Sequence, residues 1–243
     1  MEDLLNAMFE YKSTDLYTDL PAIVVGVNDN LSGLSVNVQQ AINIKHIDGD
    51  VTPRPTILNV PVQMPASSTS AFTFPVNVGD SVLLIFSMNR IDTWKRGAGK
   101  TSTPSDFRHH SIRDCVAITG VFPFANSVNH PSKRSWPHST QDTVMVHNIG
   151  KGTETEIRMK PSGDIIINTN QNITANCNTA TVNASKVEVN ASSMSVDVGS
   201  TNWSGDITHT GNLTNSGTVK SNNVTLSGHQ HNNKSVAPPD VGT

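Results

Sequence analysis

Between Ala22 and Val121 the apolar positions fall in short bursts, and Gly, Asn, Asp or Pro occupies most of the gaps. The bursts Ala22–Val27, Leu34–Ile44, Thr56–Val62, Val82–Phe86 and Cys115–Val121 have the length and composition of strands. Turn-prone runs such as NDNLSG and HIDGDVTPRP separate them. Pro75–Val82 reads as a tight turn feeding a buried strand. With no strong helical pattern between the bursts, five strands over roughly 100 residues predict a small barrel of the OB type. Ahead of them, Leu4, Leu5, Met8 and Phe9 have the spacing of a short helix or arm.

The pattern changes near Gln141. Apolar residues become small and sparse, in brief alternations: Ile165/Ile167, Val187/Val189, Met194/Val196/Val198, Ile207/His209 and Val224/Leu226. Each alternation is a strand of a few residues with every second side chain on one face. The phase slips at turn-prone breaks such as PSGD, GST and SGD, so these are separate short strands. No helix is credible between residues 141 and 228, and no fixed repeat length appears. So few apolar side chains cannot offset the entropy of ordering this backbone within one chain, and a single copy would leave long strand edges open. Wrapping several identical chains around one axis resolves both problems and predicts an obligately oligomeric β-rod.

Composition sharpens this reading. The hydrophobic fraction is 35% and the charged fraction only 15%, and Asn, Ser and Thr make up the difference. Ordinary disorder couples low hydrophobicity to high charge, and this chain does not. A net charge of −3 gives no reason to expect nucleic acid as a partner. Cys115 and Cys177 read as isolated thiols rather than a disulfide. The run MEDLLNAMFEYKSTD lacks the basic and apolar regions of a signal peptide, so synthesis in the cytoplasm is expected.

One motif carries chemistry. SGHQHNNK places His229 and His231 two residues apart, on one side of an extended chain. On a rod of several chains they would converge at the axis, and a trimer would bring six imidazoles to one point. Six nitrogen ligands suit an octahedral site, and imidazole suits Fe, Ni, Cu or Zn; zinc itself prefers four.

The terminal HQHNNK, the stretch IRMKPSGDIIINTN and the Asn/Thr-rich alternating region together resemble the central spike proteins of contractile-tailed phages. FPVNVGDSVLLIFSMNRIDTW (74–94) and RHHSIRDCVAITGVFPF (108–124) resemble the N-terminal domain of the phi92-like type of baseplate spike. The resemblance implies an all-β chain: an N-terminal OB-fold barrel, then a trimeric intertwined β-helix with a metal-clamped apex. In numbers, this gives an arm at 1–20, a barrel at 21–125, a linker at 126–140, the β-helix at 141–228 and a metal-binding tip at 229–243. It implies that His229 and His231 of three chains hold one iron ion. It also implies a virion component at the baseplate tip, a homotrimer that docks on tail hub proteins and pierces the host outer membrane mechanically. A receptor-binding trimeric tail fibre or adhesin is the alternative, though only twelve residues follow His231.

Other candidates are weaker. Asp106, His109, His110 and Asp114 could form a metal or acid–base cluster, but a solvated loop is the expectation. Asp164, Glu188, Asp197 and Asp206 lie scattered without the pairing that glycoside hydrolysis needs. Neither a GxSxG elbow, an HExxH motif nor a P-loop occurs, and Trp203 reads as a packing or surface aromatic. The chain is not expected to be an enzyme.

Overall fold

The computed structural model describes residues 16–30, 33–97, 99–128, 130–221 and 224–225, with Glu2, Leu5, Asn6 and Met8. Those four are helical, in line with the expected arm, whereas Leu4 and Phe9 lie outside the described residues.

Five strands close a barrel. They are β1 (Asp19–Asn30), β2 (Gly33–Gln40), β5 (Ile57–Gln63), β6 (Ser81–Phe86) and β7 (Cys115–Thr119). Around the barrel the order is β1-β2-β5-β7-β6, with β6 returning to β1. Only β5 and β7 run parallel. This is a five-stranded Greek-key closure of the OB type, and every barrel strand falls on one of the bursts read from the sequence. The largest boundary difference is at Ile44. It leaves β2 and joins a small hairpin, β3 (Ile44–Lys45) with β4 (Val51–Thr52), turned by Gly49 at φ 95°.

Alternation explains the core. Val24, Val36, Val38, Val60, Val82 and Leu84 are fully buried, and each such side chain contributes about 1.5–3 kcal/mol relative to exposure. Tyr17 packs on Phe86 with the rings tilted and their centroids 5.1 Å apart, and the Arg54 guanidinium lies 5.4 Å from the centre of the Tyr17 ring. The register of β1 with β2 shifts between Val24 and Gly26, a bulge that curls the strand. The turn before β6 docks against this bulge: the Gly79 amide donates to the Val24 carbonyl (2.8 Å) and the Val24 amide to the Asp80 carbonyl (2.9 Å). Asp80 also accepts from the Asn77 amide at 2.7 Å, and Gly79 supplies the φ of 96° that the turn needs.

A second sheet follows, an antiparallel meander of β8 (Thr143–His147), β9 (Thr155–Met159) and β10 (Ile165–Thr169), with β9 central. Ser135 and Trp136, within the stretch expected as a linker, are bonded to it. The Ser135 amide donates to Glu154 (2.9 Å), and Arg158 donates to the Trp136 carbonyl (2.9 Å). The compact unit that holds barrel and meander runs to Asn176, and a second unit begins at Cys177.

Candidate functional site

The loop between β6 and β7 carries a short helix, Asp92–Arg96, too brief to leave a helical period in the sequence. Backbone bonds close the loop at its base: the Ser87 amide donates to the Asp114 carbonyl (2.6 Å) and the His110 amide to the Met88 carbonyl (3.2 Å). Charged side chains close it higher up. Arg108 Nε donates to Asp114 Oδ2 at 2.7 Å and its Nη2 to Asp92 Oδ2 at 2.8 Å. Arg90 bridges Asp92 (2.9 Å) and Asp106 (2.7 Å). Asp114 is only 1% exposed and also accepts from the Ile91 amide at 3.0 Å. Charge-assisted bonds of this length are the strong ones.

The electrostatics follow from this geometry. Burial disfavours the charged form of Asp92, yet hydrogen bonds from Arg108 and Arg90 outweigh it and hold the carboxyl below its ordinary 3.8. The hydrogen bond to Asp114, against the opposing effect of burial, pushes the Arg108 guanidinium above its ordinary value. The loop is an ionic clasp.

Two of the four residues flagged in the sequence therefore have other partners. Asp106 and Asp114 bind arginines. The two histidines are tied to backbone, His109 Nδ1 to the Met88 carbonyl (3.1 Å) and His110 Nδ1 to the Tyr17 carbonyl (3.0 Å). Among the described residues no three His, Cys, Asp or Glu side chains gather as metal ligands. Sequence reasoning missed Arg90, Asp92 and Arg108. Their signal was the pair of oppositely ordered motifs, Arg90-Ile91-Asp92 and Asp106-Phe107-Arg108.

The remaining candidates lie apart. Asp164 accepts from Ser162 at 2.8 Å, and Glu188 pairs with Lys186 on an exposed surface. Cys115 is buried and Cys177 exposed, both as free thiols; burial pushes the Cys115 thiol up to about 11. Trp203 is exposed. His229, His231 and the tip at 229–243 lie outside the described residues, as does Leu226.

The second unit presents a different kind of surface. Residues 177–219 contain neither helix nor strand among the described residues, and every side chain there is exposed. The alternating positions Val187 and Val189 are 65% and 64% exposed, and Met194, Val196 and Val198 are 71%, 58% and 58%. Among the described residues the strands expected there form no ladder.

The described chain is thus mostly β and built on a closed five-stranded barrel. Residues 20–120, which span that barrel, match the family model of the phage protein Gp138 N-terminal domain. No curated protein matches the chain. The family match supports a phage protein with a structural role in the virion.

Proposed function

We propose that this protein is the central spike of a contractile phage tail, a homotrimer that docks on the tail hub and pierces the host outer membrane mechanically. The observation that carries the reading is the exposed apolar alternation of residues 187–198, which has no intrachain partner among the described residues. Three chains wound together would give each such strand two neighbours and bury its apolar face, and the phage-family match of the barrel fits the same role. The force comes from tail contraction. The chain supplies stiffness and resistance to unravelling.

In this reading His229 and His231 of each chain hold one iron ion at the apex. The donor set fits: two neutral imidazoles per chain, three times over, suit an octahedral transition-metal site. Bound there, the ion would cross-link three chain ends where unravelling starts. Elemental analysis of the purified protein is expected to find about one iron per three chains. The double variant His229→Ala/His231→Ala is expected to lose the metal while remaining a trimer. A metal content unchanged by that variant contradicts the site.

A further inference from the structure

The barrel closes on a short seam. β5 and β7 pair at two positions, Val62 with Ala117 and Gln63 with Ile118, while the rest of β5 pairs only with β2. Along Ile57–Pro61 the edge of β5 that faces away from β2 therefore has no strand beside it among the described residues. A bulge shapes this stretch. The β2–β5 register shifts between Val36 and Val38, and Asn59 sits at φ 56°. Its amide donates to Asn37 Oδ1 at 3.0 Å, and its own side chain accepts from Asn28 Nδ2 at 3.2 Å. Leu58, next to it, is 64% exposed.

A groove of about 970 Å³ opens here. Leu34, Leu58 and Ile112 line it with apolar surface, together with Lys95, Arg96 and Arg113 of the β6–β7 loop. Asp92, the one acid lining it among the described residues, is held by Arg90 and Arg108. Lys95 donates to the Arg113 carbonyl at 3.2 Å, which ties the short helix to the approach of β7. Arg96 and Arg113 are exposed, and neither guanidinium has a hydrogen bond or ion pair among the described residues. Residues 87–114 carry six Lys or Arg against three Asp, in a chain whose net charge is −3. The clasp takes up all three Asp and two of the arginines, so Lys95, Arg96, Lys100 and Arg113 form the surplus.

We infer that this groove receives an extended, acidic segment of a partner protein, laid along the open edge of β5. Each half of the surface asks for one property of that segment. An open strand edge is completed by main-chain pairing with an added strand, whose alternate side chains fall on one side. Unpartnered arginines favour carboxylates, which a guanidinium grips through two parallel hydrogen bonds. OB barrels also bind oligonucleotides and oligosaccharides, but single-stranded nucleic acid is held by stacking on aromatic side chains, and no aromatic lines this groove. The surface belongs to the barrel alone, so neither the trimer nor the metal enters.

The test uses the full chain and a fluorescein-labelled octapeptide that alternates Glu and Val, followed by fluorescence anisotropy. Saturable binding is expected, with amide exchange across residues 57–61 slowed in the complex. Arg96→Ala/Arg113→Ala is expected to weaken binding at least about tenfold. Lys45→Ala/Lys100→Ala removes the same charge outside the groove and is expected to change binding less than about twofold. Equal losses in the two double variants reduce the binding to general electrostatic attraction and overturn the inference, as does the absence of saturable binding. Tighter binding of an oligothymidylate than of the peptide assigns the groove to nucleic acid. Peptide binding that appears only after removal of residues 1–15 assigns it to the chain's own acidic N-terminal stretch. Either result overturns the partner segment.

Discussion

Removing Arg108 probes the clasp directly. Its guanidinium makes three charge-assisted bonds, at 2.7 and 3.2 Å to Asp114 and 2.8 Å to Asp92. Arg108→Leu would leave the Asp114 carboxylate buried with the Ile91 amide as its remaining side-chain bond, while Asp92 keeps Arg90. Breaking one partner of a buried pair costs about 3–5 kcal/mol. The Arg108 side chain is 26% exposed, which puts the cost at the lower end, about 3 kcal/mol. Because a chain of two units need not unfold in one step, the readout is hydrogen exchange of peptides covering residues 87–114. A loss of about 3 kcal/mol speeds their exchange on the order of 100-fold. Adding Asp114→Asn removes the stranded charge and keeps an acceptor for the Ile91 amide, so the double variant is expected to regain at least about tenfold protection. Less than about threefold acceleration in the single variant, or none regained in the double, refutes the clasp as an energetic unit.

The same loop responds to acid. The Asp92 carboxyl is held below 3.8 by its arginines, so the stability it contributes is fully present above that value. It is lost as pH falls through the lower folded value. Protection of the 87–114 amides, corrected for intrinsic exchange, should therefore stay level down to about pH 4 and fall below it; a steady decline from pH 7 contradicts the assignment. Gly79→Ala forces an L side chain into φ 96° and is expected to cost about 1 kcal/mol or more. Gly152→Ala, in open space without a positive φ, is expected to be near neutral. Thermal unfolding followed by circular dichroism separates the two.

The barrel was legible because its strands keep a two-residue alternation over a β-branched core. Val36/Val38 and Val82/Leu84 read correctly without knowledge of their neighbours. The Gly79 turn was legible because Asn77, Gly79 and Asp80 are turn-favouring residues set directly before an apolar burst. The clasp was not, since its energy comes from pairs such as Arg90 with Asp106 and Arg108 with Asp92, distant in sequence, that only the closed loop brings together. The helix Asp92–Arg96 is shorter than two turns, and the β3–β4 hairpin rests on two pairs. In the meander, alternation identified Ile165 and Ile167 as sharing a face but could not tell which face this chain covers itself. That depends on contacts from outside the sheet, such as the Trp136 carbonyl that accepts from Arg158. The histidine pair was conspicuous for the opposite reason: it stood alone in an uncharged-polar sequence.

Identical chains that complete the apolar series of the C-terminal half make the protein an obligate oligomer. Light scattering on the intact, purified protein measures this most directly. With 26.1 kDa per chain, the expected species is a trimer, with a mass near three times that value that persists on dilution. A stable, soluble species at 26.1 kDa would contradict it.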